Sequence, residues 1–137
     1  MKTLFFCIVL IGLVSCTKNK EHQAAPASDD PGKALYDRVM DIHDEVMPRM
    51  DEIMRLKREL KEALEKGEEL VPEKRQALEA KIQQLDSAGK AMMEWMRQFN
   101  PEEYTGEDLQ KYLEAEQERI IKVKEQMLEA IAKAKEN

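Results

Sequence analysis

Between residues 35 and 64 apolar side chains recur at steps of three and four: Leu35, Tyr36, Val39, Met40, Ile42, Val46, Met47, Met50, Ile53, Met54, Leu60 and Leu64, with His43 among them. On an α-helix such spacing gathers into one wide stripe. It predicts a first helix over about 31–66. Asp30 stands where an N-cap belongs, Pro31 suits the first turn, and Gly67 is placed as the C-terminal cap. Pro48 falls inside the stripe. It removes an amide that would bond to the carbonyl of Asp44 and crowds that carbonyl, so a bend is expected. The stripe continues in phase across Pro48, which favours a kink over a break into two helices.

Two more stripes follow. Pro72 suits the start of a helix over about 72–99, with Leu78, Ile82, Leu85, Met92, Trp95, Met96 and Phe99 on one side. Ser87-Ala88-Gly89 is its weak point, and Asn100-Pro101 ends it, because a residue before proline is pushed out of the helical region. A third helix over about 105–136 carries Leu109, Leu113, Ile120, Val123, Met127, Ile131 and Ala134, interrupted by Glu116. Thr105-Gly106-Glu107-Asp108 resembles a capping box with Asp in the place of Glu. Short connections between long amphipathic helices make antiparallel neighbours. The predicted fold is all-α: an up-down-up, coiled-coil-like bundle of three long helices over 31–137. Axial heights at about 1.5 Å per residue put His43, Met47, Met92, Trp95, Met96, Leu109 and Leu113 in one layer. Trp95 should be buried there, with an acceptor for its indole N–H.

The first 30 residues break the pattern. Leu4 to Val14 is an apolar run of 11 residues behind Lys2, within the length of a signal h-region and too short to span a bilayer. It closes on Leu13-Val14-Ser15-Cys16, which fits the lipobox of bacterial lipoproteins: a branched aliphatic, a tolerant position, a small residue, then the cysteine that takes up diacylglycerol. Residues 1–15 are expected to be removed, Cys7 with them. Cys16 is expected to carry the lipid, palmitate-type chains included. Thr17 to Asp30 lacks apolar periodicity and is rich in small and polar residues, so residues 16–30 read as a tether. Thr17 in place of Asp favours the outer membrane by the sorting rule of enteric bacteria.

Composition narrows the function. The chain has 22 basic and 28 acidic residues, a net charge of −6. Lys2 is the only charge in residues 1–15, so the part from Cys16 onward carries −7. That argues against nucleic acid as a partner. One cysteine in the mature part excludes an internal disulfide framework. Met40, His43, Met47, Met50 and Met54 share a face of the first helix. Thioethers and imidazole suit Cu(I), while methionine packing in an irregular core is the plainer reading. Met92, Met93 and Met96 fit both readings. The carboxylates Asp41, Asp44, Glu45 and Asp51 lie close in sequence, but a slim bundle offers no cleft to perturb them. No phosphate loop, zinc cysteine pair or nucleophile–His–acid set is present. The expected function is that of a non-catalytic, lipid-anchored envelope module. It would bind an envelope protein or itself and carry no cofactor beyond the lipid on Cys16. The alternative is a ligand-handling protein, taking Cu(I) or unfolded clients through the methionine face.

Ile42-His43-Asp44-Glu45-Val46-Met47-Pro48, the stretch Met54 to Leu60, and Ala91-Met92-Met93-Glu94-Trp95-Met96 together carry a resemblance. The mature chain resembles a group of small lipoproteins of Bacteroidota often labelled "viral A-type inclusion protein". The resemblance implies an envelope location and brings no catalytic or binding residue with it.

Overall fold

A computed structural model of the chain describes residues 30–66 and 70–136. The lipobox residues Leu13, Val14, Ser15 and Cys16, the tether before Asp30, and Gly67 lie outside the described residues. The described chain is all-α. Helices α1 (Pro31–Val46) and α2 (Arg49–Lys66) form the first rod, α3 (Pro72–Gln98) the second and α4 (Gly106–Lys135) the third, with a 3-10 turn at Pro101–Glu103 before α4. Asp30 caps α1 as its sequence position requires: the Gly32 amide donates to Asp30 Oδ1 at 3.0 Å, with Pro31 in the first turn.

The rod is interrupted at Met47-Pro48, a break into two helices in place of the continuous kinked helix that periodicity favours. The Met47 amide still donates to the His43 carbonyl at 2.8 Å, and Met47 keeps helical angles of φ −55 and ψ −39. Pro48 has no amide to continue the ladder. The two-residue turn changes the neighbour of the rod: α1 lies mainly on α4, whereas α2 lies mainly on α3 and touches α4 less.

The core runs the length of the bundle. Val39, Val46, Ile53 and Leu56 come from the first rod, Leu85, Ala88, Met92 and Trp95 from α3, and Ile120, Met127, Ala130, Ile131 and Ala134 from α4. The stripes mark these positions except Leu56, Ala88 and Ala130. Ser87-Ala88-Gly89 is no weak point, since α3 passes through it unbroken with Ala88 and Gly89 buried. The small pair lets α2 approach: a Cβ on Gly89 would sit 3.5 Å from Met50 Cε and 3.8 Å from Ile53 Cγ2.

The capping box at Thr105 does not form. Gly106 takes φ +57, Thr105 is extended, and its side chain makes no cap bond to α4. The left-handed glycine turns the chain into the helix by itself, a conformation that strains other residues. Ion pairs tie the rods: Lys124–Glu45, Lys135–Glu52 and Lys57–Asp86, each at 2.6 Å. The first two link α4 to the first rod in parallel register.

Candidate functional site

The methionine face does not form one site. Met40, Met47 and Met50 are half-buried and Met54 is 55% exposed. Met40 and Met54 are 14 residues apart, about 21 Å along a helix. No single ion spans that distance, and the break at Met47-Pro48 divides the set. Two local arrangements replace the stripe.

The first is a pair across α1 and α3. His43 Nε2 lies 3.3 Å from Met96 Sδ, and His43 Nδ1 lies 2.9 Å from Asp44 Oδ1. The imidazole stacks on Trp95 with centroids 5.7 Å apart and planes at 30°. Helix periodicity explains the placement: Trp95 and Met96 end the inner face of the descending α3, level with His43 in the ascending first rod. Trp95 is 2% exposed, as its layer requires. Its Nε1–H, however, finds no acceptor among the described residues, against the expectation from sequence. Leu109 and Leu113 are not in this layer. A Cβ on Gly32 would sit 3.5 Å from Leu109 Cδ2, and a surface hollow places Leu109 and Leu113 beside Gly32 and Tyr36. The passage through Asn100–Thr105 carries the chain lower than a tight turn would, so α4 starts opposite the first turn of α1. Ile120 joins the core around Trp95 instead.

The second arrangement is a groove between α2 and α3. Met50, Ile53, Met54 and Lys57 line one wall; Leu85, Asp86, Gly89, Lys90, Met93 and Arg97 line the other. Met54 and Met93 are 55% and 44% exposed, so the groove shows thioethers to solvent. Its rim is basic. Lys57 and Lys90 both reach Asp86, at 2.6 and 3.1 Å. Their hydrogen bonds, Lys57's first, hold the Asp86 carboxyl well below the usual carboxylate range, at about 2. Arg97 has no ion pair among the described residues.

The carboxylates that lie close in sequence do not converge. Asp41, Asp44, Glu45 and Asp51 are exposed, with Asp44 on His43 and Glu45 on Lys124. Sequence reasoning passed over Glu116 as a mere interruption of the stripe. It is 3% exposed, its Oε1 accepts from Arg119 Nη1 at 2.6 Å, and its Oε2 has no partner among the described residues. Arg119 also donates to Gln98 Oε1 on α3. Near the lower end Tyr112 Oη accepts from the Asn100 amide at 2.7 Å, and burial pushes its hydroxyl pKa up. At the upper end the Lys135 hydrogen bond lowers the Glu52 carboxyl. Both groups fasten the ends of α4.

Among the described residues no helix is long and apolar enough to cross a membrane. No protein-family model matches the chain, and no curated protein or solved structure matches it either.

Proposed function

We propose that the chain is a lipid-anchored envelope lipoprotein whose bundle is a non-catalytic interaction module, docking an acidic amphipathic helix of an envelope protein in the α2–α3 groove. The groove carries the reading. Three thioether side chains, Met50, Met54 and Met93, line a hollow whose rim holds Lys57, Lys90 and Arg97 against Asp86 alone. Flexible methionines adapt to an apolar helix face. The basic rim selects acidic flanks in a chain whose overall charge is −6. The lipobox Leu13-Val14-Ser15-Cys16 supports the anchor, and Thr17 favours the outer membrane. Lipid on Cys16 is reason for stable membrane residence, because more than one acyl chain suffices for it.

Two measurements test the reading. Cys16→Ser should move the protein out of the membrane fraction, and native protein found wholly soluble would remove the anchor. A photoreactive residue at position 54 should crosslink to one envelope protein through an acidic helical segment, and Arg97→Glu should weaken that crosslink. A probe at exposed Leu128, on the outer face of α4, is the control. Equal crosslinking from positions 54 and 128, or no effect of Arg97→Glu, rejects the groove as the docking face. A product that joins two copies of this chain rejects the envelope partner in favour of self-association.

A further inference from the structure

We propose that His43 and Met96 form a binding site for a soft monovalent cation of the Cu(I) type, at the point where the first rod is interrupted. The site is separate from helix docking in the groove and does not rest on it. An ionised carboxylate can only accept, so Asp44, 2.9 Å from Nδ1, draws the proton of a neutral imidazole to that nitrogen. The lone pair of Nε2 then faces the Met96 sulfur at 3.3 Å. An imidazole nitrogen and a thioether sulfur so placed are two donors that a soft cation takes up together.

The surroundings fit such an ion. A carboxylate on the far nitrogen is the arrangement that orients metal-bound imidazoles and raises their basicity. Imidazole and thioether favour Cu(I), whereas Ca²⁺ and Mg²⁺ take oxygen ligands. With bonds as long as those of zinc, about 2.0 Å to nitrogen and about 2.3 Å to sulfur, donors 3.3 Å apart would subtend roughly 100° at the ion. That angle leaves room for a third donor. Met47 lies one turn beyond His43 and is half-buried, so the first rod offers a further thioether. The Trp95 ring, 5.7 Å from the imidazole, gives the ion an aromatic neighbour. The His43 side chain is 15% exposed, so an ion reaches it without unfolding the bundle.

Ag(I) nitrate titrated into the full mature chain, in chloride-free buffer with detergent, tests the site. Trp95 is the only tryptophan in the chain, so its emission reports this layer alone. One ion per chain should bind, with a change in Trp95 emission and a displaced His43 Nε2 resonance. Met96→Leu and His43→Gln should each weaken binding by at least about tenfold without loss of helical signal. His22→Gln, at the other histidine of the chain, should leave silver uptake unchanged. The resonance of the unmutated chain keeps the test decisive if a variant fails to fold. Three outcomes overturn the proposal: no response of Trp95 and His43 to micromolar Ag(I), uptake unaffected by Met96→Leu, or uptake lost in His22→Gln.

Discussion

Trp95 stacks on Phe99 one turn further along α3, with ring centroids 4.9 Å apart and planes at 22°. The pair is the middle of a chain of rings. His43 stacks on Trp95, Phe99 meets Tyr36 and Tyr112, and Tyr112 stacks on Tyr104 at 4.3 Å. Every Phe, Tyr and Trp among the described residues is in this chain, which joins α1, α3 and α4 at the lower end of the bundle. The upper half is packed by aliphatic side chains and Met127.

Removing the central ring should therefore loosen three helices together. Trp95→Ala is expected to cost about 3–5 kcal/mol, a large share of the stability of a domain this size. Thermal unfolding followed by circular dichroism should show the midpoint fall by more than about 10 °C. A loss below about 1 kcal/mol would mean that the neighbouring rings close over the space.

Asp86 sets an acid limit on the contact between α2 and α3. Its folded-state pKa is depressed to about 2 by Lys57 and Lys90, from an ordinary 3.8. Stability from a depressed carboxyl is fully present above the unfolded value and is lost as pH falls through the folded one. The loss should lie between pH 4 and pH 2, and Asp86→Asn should remove that part of the acid profile. A carboxyl titration by NMR checks it directly: the midpoint should rise toward 3.8 in Lys57→Met.

Gly89 is buried in a helix, yet a Cβ there meets only ordinary van der Waals distances, 3.5 Å being the shortest. Gly89→Ala should stabilise the bundle by about 0.5–1 kcal/mol, because glycine gives up more backbone freedom on folding than alanine. Chemical denaturation would show a higher midpoint. A lower one would mean that Met50 cannot withdraw its methyl.

Glu116 is buried against Arg119, which is itself partly exposed. Arg119→Ala leaves a buried carboxylate without its cation and should cost about 1–3 kcal/mol. The pair Arg119→Ala with Glu116→Leu should recover most of that loss, since an apolar replacement of a buried ion pair is often neutral. Equal stability of the single and double variants would show that the carboxylate reaches water. The cycle needs only equilibrium unfolding curves.

The helices were readable because three-four spacing is local information. Pro31, Pro72 and the Asn100-Pro101 step mark boundaries that fall within about a residue of those seen. His43, Trp95 and Met96 were placed together from axial heights alone, and the structure joins them. Leu109 and Leu113 were placed too high because residues 99–105 descend past the end of α3, and loop geometry has no period to count. The break at Pro48 is hidden for a related reason: an in-phase stripe reports the direction of side chains and is silent on which neighbouring helix they meet. Glu116 escaped because a buried carboxylate is identified by Arg119 and Gln98, one of them on another helix. The division of the methionine face into a pair and a groove depends on α3, which a stripe on the first helix cannot show.

The parallel alignment of α1 with α4 has a mechanical consequence. Asp30 and Glu136 stand at opposite ends of the bundle, since Lys81, near the top of α3, donates to the Glu136 carbonyl at 2.6 Å. Tension between an anchored start and a loaded end would pull the two parallel helices past each other in shear. The Glu45–Lys124 and Glu52–Lys135 ties would then be strained at the same moment as the ring chain below them, and none could peel away first. Resistance to such a pull is set by the unfolding rate rather than by equilibrium stability. A bundle of this connectivity would hold its shape under drag that an end-to-end hairpin would yield to one turn at a time.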